Sequence, residues 1–290
     1  MAPGRSRFAA LLIGLTLCIN GHDTALPQEG PLAAGELIDP KFLRVCADPR
    51  NLPFSNEKGE GFENRIAELL AAKLGKAVRY TWYPSSAGFV RNTLGSYRCD
   101  VIMGFPQGDD IAQVTNPYYT ASYALVFKPG NGLDRVDSLS DPKLKDKRIG
   151  IVAGTPPTSL VLANGLMSHA KPYPLVIDTR VDSSAQAMIE DIEGGQIDIG
   201  ILWGPMAGYY AMHSSPKLTV VPLTKETRAS RMSFRIGMAV RHQDREFKRL
   251  LNKLIQDNQA EIDTILLSYG VPLLDGQNHP IAAAAPAGKK

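Results

Sequence analysis

The sequence predicts an α/β fold with mainly parallel sheets, and three observations carry that expectation. Short apolar strands alternate with helical patterns along most of the chain, the order that builds parallel sheets covered by helices. The segment from Ile197 to Leu202 is almost wholly apolar, the mark of a strand buried on both faces. The stretch from Leu43 to Glu68, LRVCADPRNLPFSNEKGEGFENRIAE, runs strand, Pro/Asn/Gly-rich loop, helix. That order presents a ligand at the carboxyl edge of an open α/β sheet.

Taken in order, Leu43 to Cys46 is the first strand, and it ends in Asp48 and the loop. A helix begins near Phe62, with apolar residues at Phe62, Ile66, Leu69, Leu70 and Leu74 at helical period. Val78 to Trp82 reads as strand, Phe89 to Tyr97 as helix and Asp100 to Met103 as strand. Tyr118 to Phe127 is a long extended stretch closed by Lys128-Pro129-Gly130. Arg148 to Val152 is strand, and Thr158 to Met167 is helix. Ser183 to Glu193 is a helix that turns Ala185, Met188, Ile189 and Ile192 inward. Ile236 to Val240 is strand. One helix then spans Phe247 to Tyr269, its stripe running through Leu250, Leu251, Leu254, Ile262, Ile265 and Leu266 until Gly270 stops it.

With 290 residues, 44% of them hydrophobic, the chain can bury one large core or two modest ones. Its net charge of +3, from 32 basic and 29 acidic residues, implies no strong field toward nucleic acid. Arg5 and Arg7 precede an apolar run from Phe8 to Ile19, broken by Gly14 and Thr16 and too short to span a bilayer. Residues 1–34 are therefore assigned to a secretory signal and flexible N-terminus, with cleavage anywhere from about Asn20 to Gly35. Leu17 is too bulky for the usual lipidation motif at Cys18. Residues 275–290 are Ala/Pro/Gly-rich without periodicity and read as a disordered tail. Export leaves Cys46 and Cys99, an even pair that favours a disulfide, with two buried thiols as the alternative.

Tyr118 to Phe127 and Ser230 to Gly237 look like crossings between two lobes, although periodicity alone equally allows one continuous sheet. A set of phrases goes further. Cys46-Ala-Asp-Pro, Asn51-Leu-Pro-Phe-Ser-Asn, Gly59-Glu-Gly-Phe-Glu-Asn, Gly88-Phe-Val-Arg-Asn-Thr-Leu and Arg98-Cys-Asp-Val-Ile-Met-Gly are five of them. Asn116-Pro-Tyr-Tyr, Trp203-Gly-Pro-Met-Ala-Gly-Tyr and Glu261-Ile-Asp complete a set that spans Leu43 to Pro272. In these the chain resembles the methanol-oxidation J proteins (MxaJ and XoxJ type), quinoprotein dehydrogenase-associated members of the type II periplasmic binding-protein superfamily. It departs from them at Gly154 to Gly165, where a longer glycine-containing loop is expected, and at Tyr119-Thr-Ala-Ser-Tyr, which lacks an arginine.

The resemblance implies a bilobed type II periplasmic-binding-protein fold: two mainly parallel α/β lobes joined by two hinge crossings. Lobe 1 would comprise residues 39–127 plus 235–274, and lobe 2 residues 128–234. The resemblance also places the strand after Cys99 beside the strand that ends in Cys46, so a bridge is within reach if the Cα atoms lie within ~7 Å. It implies a periplasmic, monomeric, non-enzymatic accessory of a PQQ-dependent methanol dehydrogenase. That partner, bound folded or before assembly, would itself carry PQQ and a lanthanide or calcium; the chain would hold no cofactor or metal of its own.

In such a fold the cleft is built from loops at strand carboxyl ends. The candidates are Asp48, Asn51, Phe54, Phe105, Asp109, Tyr118, Tyr119, Thr155, Trp203 and Tyr209. An aspartate after a strand more often caps its own loop, which is the favoured reading for Asp48 taken alone. Thr155-Pro156-Pro157 opens a helix whose N–H groups could hold an anion, but the prolines remove two donors. Amino-acid-binding relatives clamp the ligand carboxylate with an arginine. In GFPQGDDIAQVTNPYY, Gly108 or Asp109 stands at that place, beside Asp110. In GGQIDIGILWGPMAGYY the aspartate that meets the ligand ammonium is replaced near Trp203. Both ionic anchors are lost, which argues against ordinary amino-acid import. Arg50 and Arg91 are the cationic candidates for carrying PQQ, with Asp109-Asp110 opposing it.

The five histidines, His22, His169, His213, His242 and His279, fall at no metal-ligand spacing, and no nucleophile elbow, phosphate loop or dinucleotide fingerprint is present. The rival reading is the solute-binding subunit of an ABC importer for an uncharged or cationic small molecule. A dehydratase on the same fold ranks third, since it needs an acid/base pair that the spacing does not identify.

Overall fold

The computed structural model describes residues 36–226 and 231–281. The expected signal, Cys18, Ser230 of the second crossing and the last nine residues of the tail lie outside them. The described chain begins its first sheet with β1 (Phe42–Ala47), followed by β2 (Arg50–Asn51), β3 (Ser55–Asn56), α1 (Phe62–Lys73), β4 (Ala77–Trp82), α2 (Phe89–Asn92), β5 (Val101–Pro106) and β6 (Gln113–Val114). Next come β7 (Tyr119–Phe127), β8 (Ile149–Val152), α3 (Pro156–Ala163), β9 (Ala170–Tyr173), α4 (Ser184–Glu193), β10 (Ile199–Trp203) and α5 (Gly204–His213). The last are β11 (Thr219–Pro222), β12 (Ser233–Val240), α6 (Arg245–Asp257) and α7 (Gln259–Ser268).

The main sheet runs β4-β1-β5-β12-β7-β10-β8-β9, with β6 on β12 and β11 on β7. Its two wings are parallel: β1 pairs with β4 and β5, and β8 with β9 and β10. Its centre is antiparallel, through β12 with β5 and β7, and β7 with β10. Strand β7 serves both wings. Tyr119 to Ser122 pair with β12, whereas Tyr123 to Phe127 pair with β10. At the handover Ser122 is fully buried, and its hydroxyl reaches the carbonyls of Leu223 (2.9 Å) and Met232 (3.3 Å).

Each wing has its own core. In the first, Val45, Val101 and Met238 of the sheet pack against Phe62, Ile66 and Leu70 of α1 and Phe247, Leu251 and Ile262 of α6 and α7. In the second, β7 alternates as a two-faced strand must: Leu125 and Phe127 join one core, Ala124 and Val126 the other. Cys46 and Cys99 are bonded, with Cα atoms 5.5 Å apart, beneath Leu94 and Ile102. Nearby, fully buried Asp100 accepts from Arg44 (2.6 Å) and Arg241 (3.0 Å), and Asp244 lies 2.7 Å from Arg241 Nε. Burial raises the Asp244 carboxyl above its ordinary range while the Arg241 charge opposes it.

Several elements differ from expectation. The helix expected over Phe89 to Tyr97 stops at Asn92: the Thr93 hydroxyl bonds the Phe89 carbonyl at 2.6 Å, and Tyr97 sits at φ 58°. The single helix expected from Phe247 to Tyr269 is two, broken at Asn258 (φ −122°), whose amide bonds the Leu254 carbonyl. Helix α3 starts earlier than expected, with its prolines in the first turn where their missing N–H groups cost nothing, and ends at Ala163. Helix α5 occupies the stretch after β10, where the candidates Trp203 and Tyr209 are expected on a loop at a strand's carboxyl end. Residues 275–281, expected to be disordered, form a tight turn in which Asp275 accepts from Gln277 and His279 N–H groups and Leu274 bridges Pro280.

Candidate functional site

The carboxyl end of β1 delivers Asp48 to the cleft, and the loop after it is folded by backbone demand. Gly61 sits where an added Cβ would lie 2.1 Å from the Phe54 carbonyl oxygen, so loop and helix backbones meet there. The first N–H groups of α1 are consumed by the same loop: Phe62 donates to Pro53 (2.8 Å) and Glu63 to Phe54 (2.9 Å). Asn64 closes the corner by accepting from the Gly61 and Asn56 N–H groups, both at 3.1 Å. This lock fixes the backbone from which the Glu63 side chain projects.

Two adjoining cavities share Asn51, Ser85, Tyr123 and Trp203. The larger, about 880 Å³, lies between the 49–60 loop and residues 174–186 with Met206 and Tyr210. The smaller, about 530 Å³, is walled by Phe54, Phe105, Tyr119, Tyr123, Trp203 and Phe234. Tyr123, Trp203 and Phe234 meet edge-on at 5.4 to 6.4 Å, forming an aromatic floor where the wings join. Burial pushes the Tyr123 phenol up to about 12 and raises that of Tyr119 well above its usual range, with the Glu63 charge adding to the latter.

Among the described residues, the smaller cavity is lined by two carboxylates and no lysine, arginine or histidine. Asp48, 2% exposed, is saturated by donors: the Arg50 and Ser85 N–H groups and the Thr179 hydroxyl, 3.0 and 3.2 Å from its two oxygens. Glu63 is different. Its carboxyl faces the cavity beside Gly104, where an added Cβ would fall 2.1 Å from Oε1, and among the described residues it has no hydrogen-bond or ion-pair partner. Burial, then the charge of Asp48, pushes it up to about 8, so it holds a proton at neutral pH.

Of the candidates read from sequence, Asn51, Trp203 and the two carboxyl-end residues Asp48 and Phe54 line the cavities, as do Phe105, Tyr119 and Thr155. Thr155 stands at the N-cap position of α3 but donates its hydroxyl to the Val152 carbonyl instead of capping the helix. Three candidates lie elsewhere. Asp109 is exposed and accepts from the Ile111 N–H within its own turn. Tyr118 is 1% exposed in the first core, and burial raises its phenol well above the usual range. Tyr209 stacks on Tyr269 at 6.2 Å, outside both cavities. Arg50 lines the larger cavity with its guanidinium on the Arg180 carbonyl, and Arg91 is exposed outside both. Glu63 escaped sequence reasoning because an acid in the first turn of a helix usually just complements the helix dipole. Its signal was the pairing with a glycine inside a strand.

Contacts cross the cleft as well: Thr179 to Asp48, Arg50 to Arg180, and the Tyr210 hydroxyl to the Leu52 carbonyl at 3.4 Å. Among the described residues no group of three or more His, Cys, Asp or Glu side chains is placed to hold a metal, and no helix is long and apolar enough to cross a membrane.

Comparison with known proteins sets this geometry in a family. The profile of the bacterial extracellular solute-binding proteins, family 3, matches residues 43–270. Protein MoxJ of Methylorubrum extorquens is 29% identical over 302 residues, which cover 96% of this chain and 99% of MoxJ. The periplasmic binding protein XoxJ from Methylobacterium extorquens AM1 superposes with a TM-score of 0.69 at 40% identity, over 80% of this chain and 99% of XoxJ. MxaJ from Methlophaga aminisulfidivorans MPT gives the same TM-score at 28% identity, over 80% of this chain and all of MxaJ.

Proposed function

Because the chain belongs to the bacterial extracellular solute-binding proteins of family 3, as a periplasmic binding protein of the MxaJ/XoxJ type, we propose that it serves methanol oxidation as a non-catalytic accessory. In this reading the exported, monomeric protein closes its cleft on a segment of a PQQ-dependent methanol dehydrogenase during assembly or activation. The dehydrogenase brings the PQQ and its lanthanide or calcium; this chain contributes none. Residues 39–127 with 235–274 and residues 128–234 act as the two lobes, and β7 and β12 absorb the hinge rotation.

The observation that carries the reading is the lining of the smaller cavity among the described residues: seven aromatic side chains, two carboxylates and no cationic residue to clamp a free amino acid's carboxylate. Aromatic side chains of this kind anchor peptide and protein segments through area and shape. Lobe closure needs only that the bound segment prefer the closed arrangement. The test is biolayer interferometry of the mature protein against the cognate dehydrogenase, apo and loaded, at two salt concentrations. Saturable binding that falls at least tenfold in Trp203→Ala supports the reading, and preference for the apo enzyme assigns a maturation role. Tight capture of a small solute with no response to the dehydrogenase would replace it with the importer reading. That second reading is favoured by one feature, the unpartnered Glu63 carboxyl, which suits a cationic solute.

A further inference from the structure

We infer that the smaller cavity is a subsite for an organic cation, an ammonium or guanidinium group that enters against the Glu63 carboxylate and between aromatic faces. The inference deepens the accessory reading and rests on it for one of two sources: the cation is a basic side chain of the dehydrogenase segment, or it is a free amine.

Charge selection comes first. Every ionisable group facing the cavity is acidic: Glu63 from α1, Asp48 after β1, and the phenols of Tyr119 and Tyr123 on β7. Tyr118, just before β7, and Tyr80 on β4, close enough to feel Glu63, are also phenols. Strands β5, β10 and β12 bring only Ile102, Gly104, Phe105, Pro106, Trp203, Phe234 and Ile236 to the lining, none of them titratable. An anion entering here meets no counter-charge. A cation meets one carboxylate that is already saturated and one that is free.

The free one is built for. A glycine inside a strand forfeits side-chain packing, and Gly104 is the residue whose missing Cβ leaves the space occupied by Glu63 Oε1. The carboxylate has no capping duty either, since the first N–H groups of α1 already bind the Pro53 and Phe54 carbonyls. Phe54, Phe105, Tyr119 and Trp203 line the same cavity, aromatic surroundings in which a desolvated cation gains from the ring quadrupole. A cavity of about 530 Å³ accommodates a lysine or arginine side chain with part of its backbone.

The empty site stores a proton that the cation must displace. Burial and the Asp48 charge hold Glu63 protonated to about pH 8, so cation affinity rises with pH as that proton leaves. From pH 7 to pH 9 the ionised share of such a group grows about tenfold, and affinity grows with it.

The test is calorimetric titration of the full mature protein with n-butylamine and agmatine, with butyrate as the anionic control, at pH 7 and pH 9. The same preparations are then bound to methanol dehydrogenase with and without butylamine. The inference expects amine binding that strengthens about tenfold at pH 9, no butyrate binding, and at least a tenfold loss in both Glu63→Gln and Gly104→Ala. Gly104→Ala keeps the charge and only swings the carboxylate aside. Thermal melts confirm that each variant is folded. Amine competition with the dehydrogenase assigns the cation to a partner side chain. Amine binding with no effect on the dehydrogenase assigns it to a free amine. Amine binding that is equal in the wild type and Glu63→Gln overturns the subsite. Dehydrogenase binding that is indifferent to Glu63→Gln, with no amine bound, overturns the subsite and leaves the accessory reading standing. Amine binding with no dehydrogenase binding sinks the accessory reading and keeps the subsite.

Discussion

Replacing Glu63 by glutamine is expected to stabilise the protein increasingly as pH rises. The folded carboxyl titrates near 8 against an ordinary value of 4.5, so between those values the folded state holds a proton that the unfolded chain has released. Stability from this group is therefore intact below about pH 4.5, is lost as pH rises, and the penalty is complete above about pH 8. A shift of that size corresponds to about 5 kcal/mol at the limit. Water entering through the cavity screens the partly accessible carboxylate and trims the cost to about 2–3 kcal/mol. At ~2–4 °C per kcal/mol for a domain of this size, Glu63→Gln should melt about 5–10 °C above the wild type at pH 9 and level with it at pH 5. The assay is a pair of thermal melts from pH 5 to pH 9, in which every other titrating group cancels. A gap independent of pH, or a wild type that is the more stable at pH 9, would refute the placement of an unpaired carboxyl in the cavity.

Other perturbations test the frame that holds the site. Replacing both Cys46 and Cys99 by serine opens a crosslink between residues 53 apart in sequence and should cost about 4 kcal/mol by loop entropy, read from urea melts. Arg241→Met leaves Asp244 without its buried counter-charge and Asp100 with Arg44 alone, an expected loss of about 3–5 kcal/mol in the same assay. Gly61→Ala forces a Cβ against the Phe54 carbonyl and should lower stability by about 2–4 kcal/mol, with the start of α1 displaced. Thr179→Val removes the hydroxyl donor to Asp48 across the cleft, worth about 1.5–3 kcal/mol as a bond to a charged group. It should increase the radius of gyration seen by small-angle scattering, and an unchanged radius would show that this contact does not hold the cleft closed.

The alternation of strand and helix was legible because buried parallel strands and one-faced helices leave distinct periods, as β10 and α4 do. The antiparallel centre was not, because hydrophobic pattern says nothing of strand direction, and β7 carries the same residues in either. Helix α5 was missed for a packing reason. Its sequence GPMAGYYAMH opens on Gly-Pro and carries a second glycine, but an added Cβ on Gly208 would fall 1.8 Å from the Gly270 carbonyl and one on Gly204 2.5 Å from that of Ser122. Close backbone approach outweighs propensity there. In the cleft, the aromatic anchors Phe54, Phe105 and Trp203 follow from their place at strand ends. Asp109 and Tyr209 are misplaced because a loop's direction and a helix's rotation are set by contacts distant in sequence. The most distinctive group, Glu63, is visible only when Gly104 is seen beside it.

The most direct test of the central claim is amide hydrogen exchange of the mature protein with and without its methanol dehydrogenase. The account predicts new protection in the segments that line the cleft, residues 48–56, 101–106 and 202–206, with little change over the outer faces of α3 and α6. Protection confined to an outer surface, or none at saturating enzyme, would contradict the claim that the cleft receives the dehydrogenase.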